Sequence, residues 1–152
     1  LDSLEFTNAG ASLDPYIEVS GTPDILWTWS DGSTSTVANP GVKNLTGTHT
    51  LLVTPWSAVT RFDFDDRDLI GDLVTQEWPG LTQLLFYSNS LTGTPKTYAW
   101  VDLLWLYFNG NSFSGTFITH EWTELISFYL QNNSFTGLFA VHAWGGICKI
   151  RY

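Results

Sequence analysis

The densest run of ionisable side chains in this sequence is Asp63-Phe64-Asp65-Asp66-Arg67-Asp68. Asp63 and Asp65 alternate along an extended chain and so share one face, where their repulsion favours a cation or a basic partner. The plainer expectation is a solvated acidic edge. His49, His120 and His142 are the three histidines, and the last two stand 22 residues apart, each two residues before a Trp. That spacing makes them neighbours in any 22-residue repeat, but only Glu121 stands close enough to act as a third ligand, so no metal site is expected. Cys148 is the single cysteine, which excludes an internal disulfide and reads as a small hydrophobe in a strand. No nucleophile elbow, glycine-rich phosphate loop or HExxH pattern occurs. The expectation is therefore no catalytic residue, no cofactor and no enzymatic activity.

The elements that carry these residues are constrained first by charge. Fifteen acidic side chains against six basic ones give a formal charge of −9, which repels phosphate backbones and anionic lipid. Nucleic acid is thus not an expected partner. No apolar run approaches the roughly eighteen residues of a spanning helix, so membrane insertion is not expected either. The chain opens on Leu1-Asp2 and contains no Met. The expectation is that an initiator was removed with a signal peptide or lies outside this segment. Asn44-Leu45-Thr46 and Asn132-Asn133-Ser134 are glycosylation acceptor patterns that occur often by chance.

Periodicity sets the architecture. Trp56, Trp78, Trp100, Trp122 and Trp144 are each 22 residues apart. The same step relates Val59, Leu81, Leu103, Leu125 and Ile147, then Phe62, Leu84, Leu106, Phe128 and Ile150, then Phe64, Phe86, Phe108, Leu130 and Tyr152. Asn89, Asn111 and Asn133 form another column, with Arg67 in the same register, and Gly71, Gly93, Gly115 and Gly137 another. Written once, the unit is LxxLxFxxNxLxG followed by nine looser residues.

Leu81–Gly93 (LTQLLFYSNSLTG), Leu103–Gly115 (LLWLYFNGNSFSG) and Leu125–Gly137 (LISFYLQNNSFTG) resemble leucine-rich repeats, with Val59–Gly71 as a degenerate first unit. The resemblance covers residues 56–152, about four repeats plus a final strand. The expected fold is mainly β: a solenoid with a parallel sheet at about 4.8 Å per repeat, and irregular or short helical segments on its convex side. Asn is suited to bond backbone groups that the turn leaves unpaired, Gly to the backbone angles of the bend, and the Trp column to a stacked spine opposite the strands.

A repeat array needs a cap, and residues 1–55 are expected to supply a small β segment of that kind. Ile17–Val19, Ile25–Trp29 and His49–Val53 read as strands separated by turn residues. Trp27-Thr28-Trp29-Ser30-Asp31-Gly32-Ser33-Thr34-Ser35, Asn39-Pro40 and Gly47-Thr48-His49-Thr50-Leu51-Leu52-Val53 resemble the polycystic-kidney-disease (PKD) type of extracellular β-sandwich, in shortened form. The combination resembles bacterial or phage surface proteins and adhesins, which implies an address outside the cell, on a cell surface or on a virion.

In the repeat template, Thr60, Arg61, Asp63, Asp65, Thr82, Gln83, Leu85, Tyr87, Leu104, Trp105, Tyr107, Asn109, Ile126, Ser127, Tyr129 and Gln131 point outward from the strands. A solvated sheet face alternates to polar residues, whereas the middle of this one holds Leu85, Tyr87, Trp105, Tyr107 and Tyr129. These five are the candidate contacts for a protein or glycan ligand, unless Leu1–Pro15 folds across them. The acidic start of the array and Lys149 and Arg151 at its finish support a second expectation, a structural subunit joined head to tail to copies of itself.

Overall fold

The computed structural model describes residues 3–137 and the strand backbone of residues 149–151. The first part of the chain supplies β1 (Leu4–Asn8), β2 (Tyr16–Val19), β3 (Asp24–Thr28), β4 (Thr34–Ser35) and β5 (Gly47–Thr54), then a 3₁₀ turn at Trp56–Ala58. It continues as β6 (Val59–Asp63), β7 (Leu69–Asp72), β8 (Gln83–Leu85), β9 (Ser90–Thr92), β10 (Trp105–Tyr107), β11 (Ser114–Gly115), β12 (Ser127–Tyr129), β13 (Ser134–Phe135) and β14 (Lys149–Arg151). β6, β8, β10, β12 and β14 stack in parallel, each step offset by one 22-residue unit, as in Phe62↔Leu84, Leu84↔Leu106 and Leu106↔Phe128. The result is a β-solenoid of about three turns.

Inward columns fill its interior. Phe62, Leu84, Leu106 and Phe128, and behind them Phe64, Phe86, Phe108 and Leu130, are at most 2% exposed. Trp78, Trp100 and Trp122 close the opposite side as a stack, with ring centroids 6.0 and 6.2 Å apart and planes within 14° of parallel. A buried indole N–H needs an acceptor. Trp100 Nε1 donates to the Gln76 carbonyl and Trp122 Nε1 to that of Tyr98, each one turn back.

The asparagine column fixes the step between turns. Asn111 Nδ2 donates to the carbonyls of Phe108 in its own turn and Phe86 in the preceding one, while its Oδ1 accepts from the Leu91 N–H. Asn89 and Asn133 repeat the arrangement with Phe64 and Phe86, and with Phe108 and Leu130. Gly71, Gly93 and Gly115 then take φ of 80°, 72° and 74°, the left-handed region that glycine enters without cost from a Cβ. The NxLxG stretches are themselves short strands, β7, β9, β11 and β13, a second line of pairing that the repeat pattern did not announce.

The three strands expected in the first part of the chain are present as β2, β3 and β5, and they join both flanks of the solenoid. β2 runs antiparallel to β6, extending the parallel sheet by a sixth strand. β1 lies between β5 and β7, antiparallel to both, so that the other sheet runs β4-β3-β5-β1-β7-β9. Leu4–Asn8 therefore sits inside a sheet and not across the face that carries Tyr107. One core results: Phe6 and Trp27 pack on Phe64 at centroid distances of 5.1 and 6.4 Å.

His49 organises the inside of that junction. The Ser30 N–H donates to His49 Nδ1, so Nε2 carries the proton and donates to Asn8 Oδ1 at 2.8 Å. Asn8 Nδ2 in turn donates to the Gly10 and Leu45 carbonyls. Burial holds the imidazole pKa below its ordinary 6.5, so the neutral form is the folded one.

Two predictions follow from these contacts. Asn111→Ala leaves several buried backbone groups unpaired and costs about 2–3 kcal/mol in urea unfolding, whereas Thr123→Ala on an exposed turn stays within about 0.5 kcal/mol. For His49 the unfolded chain binds the proton more readily than the folded one. Its contribution is complete above the unfolded pKa near 6.5 and is lost as pH falls below it. Melting temperature should fall between pH 7 and 5.5, and fall less in His49→Gln; equal slopes exclude this source.

Candidate functional site

The outward side chains of β6, β8, β10 and β12 form three columns, because the sheet repeats without a register shift. Arg61, Gln83, Trp105 and Ser127 make one, and Asp63, Leu85, Tyr107 and Tyr129 the second. One step beyond the strands, Asp65, Tyr87, Asn109 and Gln131 make the third. Strands about 4.8 Å apart force like positions into contact. Tyr107 and Tyr129 accordingly stack at 4.7 Å and 19°, Trp105 lies 6.5 Å from Tyr107 with its plane tilted by 9°, and Tyr87 meets Tyr107 at 6.3 Å and 61°.

Four of the five candidate contacts are therefore one partly exposed aromatic patch. Leu85, the fifth, is only 5% exposed and is no open contact. Tyr107 donates its hydroxyl to Ser127 Oγ at 3.1 Å, which fixes the ring over the sheet. Tyr87, Tyr107, Asn109, Tyr129 and Gln131 line a depression of about 260 Å³. Outward position alone did not single out Asn109 and Gln131 in the sequence; the turn after each strand brings them beside the rings.

The acidic end adjoins this patch. Asp63 and Asp65 stand side by side and shift each other's pKa, and Asp65 is coupled to the Tyr87 hydroxyl as well. Burial, together with Asp65, raises the pKa of Asp63 against the pull of Arg61. Burial acts in the same sense on Asp65, but its neighbours Asp63 and Tyr87 and the charge of Arg67 outweigh it and hold this carboxyl below the usual range. Asp63 is thus the member that takes up a proton first as pH falls. Asp66 and Asp68 leave the strand face for the exposed turn, where both have positive φ.

Arg61 connects the pair to β2. Its guanidinium contacts Asp63, lies 3.5 Å from Glu18 and sits over the Tyr16 ring at 5.4 Å. Arg67 Nε donates to the Asp14 carbonyl. Asp14, Tyr16, Arg61, Asp63, Asp65 and Arg67 line a cleft of about 360 Å³ beside the β2–β6 pairing. Its β2 side depends on the antiparallel pairing of β2 with β6, between residues forty or more apart, which no local pattern encodes.

His120 Nε2 bonds the Thr97 carbonyl at 3.1 Å and its ring packs near Trp122, while His142, Lys149 and Arg151 have side chains outside the described residues, as has Cys148. Among the described residues no three His, Cys, Asp or Glu side chains gather as metal ligands, and no helix is long and apolar enough to cross a membrane.

The hydrogen bond to Asp65, then burial and the charge of the acid pair, push the Tyr87 hydroxyl from 10.0 up to about 12. Asp65→Asn should lower it toward the ordinary value, read by ¹³Cζ NMR titration of the tyrosines. An unchanged Tyr87 titration would show that the two side chains are uncoupled. No family model, no curated protein and no solved structure matches the chain.

Proposed function

We propose that this chain is a non-catalytic binding module of the extracellular surface: a leucine-rich-repeat type solenoid with a shortened PKD-like β cap, presenting its strand face to a protein or glycan. The observation that carries the reading is the gathering of Tyr87, Trp105, Tyr107 and Tyr129 into one partly exposed patch beside the polar groups of Asn109 and Gln131. Aromatic side chains held rigidly at the centre of a surface with a polar rim are the usual source of binding energy at protein interfaces. The adhesin-like role and the location on a cell surface or virion follow the resemblance of the repeat and of the WTWSDGSTS segment.

The alternative, a structural subunit assembling with copies of itself, is opposed by a formal charge of −9, under which like molecules repel. Sedimentation velocity over a hundredfold concentration range separates the two readings: the module stays at 17.0 kDa, the subunit forms concentration-dependent species.

Panels of surface proteins and glycans, screened against the intact chain, test the binding reading directly. Trp105→Ala and Tyr107→Ala should each weaken a captured ligand by about tenfold or more with the circular dichroism spectrum retained. Ligands insensitive to both substitutions would remove the strand face from the function.

A further inference from the structure

Buried polar atoms in folded proteins almost always have partners, and the exceptions call for an explanation. Four side-chain atoms on the strand face are buried without one: Arg61 Nε, Asp63 Oδ1, Gln83 Oε1 and Gln131 Oε1. Among the described residues the remaining case is Trp29 Nε1, in the cap. Three of the four on the face are acceptors. The Asp65 carboxylate and the π-faces of the tyrosines add to an electron-rich surface on a chain that is already strongly negative.

Elsewhere the molecule matches such rings with its own cations. Lys43 lies over Trp29 at 5.4 Å, Arg61 over Tyr16 at 5.4 Å and Lys96 over Tyr98 at 4.7 Å. No basic side chain among the described residues lies over Tyr87 or Tyr107. The missing complement is a group that only donates, carries positive charge and can lie flat on an aromatic ring. Arginine has that inventory: a planar guanidinium with five N–H donors and no acceptor. A sugar hydroxyl is both donor and acceptor, so a neutral glycan would bring acceptors to a face that is short of donors, and an anionic one would be repelled.

We propose that the strand face binds an arginine-bearing segment of a protein partner, with guanidinium groups laid on the Tyr87 and Tyr107 rings and donating to Asp65, Gln83 and Gln131. The inference rests on the reading of this face as a binding surface and selects a basic protein segment as its occupant.

The probe is the peptide Arg-Gly-Arg-Gly-Arg-Gly, titrated calorimetrically into the intact chain at about 150 mM salt, where attraction between distant charges is largely screened. Its lysine counterpart and neutral hexasaccharides of glucose and of N-acetylglucosamine are run alongside. The arginine peptide should bind at least about fivefold tighter than the lysine peptide, since a point charge cannot reproduce planar contact. Asp65→Asn, nearly isosteric, and Tyr107→Ala should each reduce affinity about tenfold or more. Asp24→Asn and Asp102→Asn, which remove exposed charges elsewhere, should change it less than about twofold.

Equal losses in the distant variants would mean attraction to net charge alone and overturn the proposal, as would equal binding of the lysine peptide or no binding of the arginine peptide. A hexasaccharide that binds with dependence on Trp105 or Tyr107 but not on Asp65 overturns the basic occupant while the binding module stands. If Tyr107→Ala alters no titration, both readings fall.

Discussion

Every feature of the strand face depends on three asparagine side chains. A parallel coil leaves carbonyls and N–H groups stranded wherever the chain turns away from the sheet, and burial makes each of them costly. Asn89, Asn111 and Asn133 take up these groups in their own turn and in the turn before, so each amide is a clamp across two layers. A clamp of fixed reach permits one spacing between turns. Insertion or deletion of a residue within a unit would pull the amide from its carbonyls, which is a physical reason for a step of 22 residues that does not drift.

Fixed spacing turns sequence columns into contacts. Position 107 must meet position 129, and two tyrosines there have no alternative to stacking. On the inner side the same constraint stacks Trp78, Trp100 and Trp122, and the indole N–H groups of Trp100 and Trp122 reach backward to the preceding turn as the asparagines do. Core and surface are thus ordered by one mechanism. The aromatic patch is rigid because it sits on strands whose reverse side is a packed column of Phe and Leu, and rigidity lowers the entropy lost on binding.

That same regularity explains what is legible in the sequence. Solenoid, strand columns, the Asn and Gly turns and the outward positions all repeat, so four copies of weak evidence add. The segment that carries β1–β5 does not repeat. Leu4, Phe6 and Asn8 alternate inward as a strand should, but nothing local says that Leu4–Asn8 will insert between β5 and β7, pairings that close loops of about forty to sixty residues. Leu85 shows the limit within the array. Its column points outward, yet it is covered because its row neighbours are Asp63 and Tyr107 and its strand leads into Tyr87. Exposure at one repeat position is decided by the size of the residues one turn away.

The acid pair illustrates why residue type and spacing underdetermine chemistry. Read as sequence, Asp63 and Asp65 are a solvated edge, two independent carboxylates tolerating each other through water. In the fold they are partly buried beside Arg61 and Tyr87, and water screens them less. Their repulsion divides the pair: burial and Asp65 raise the pKa of Asp63, while Asp63, Tyr87 and Arg67 lower that of Asp65. Tyr87 in turn packs on Tyr107, and Tyr107 on Tyr129. The carboxylates and the rings are consequently one contiguous group, joined through Tyr87, which is coupled to Asp65 on one side and packs on Tyr107 on the other.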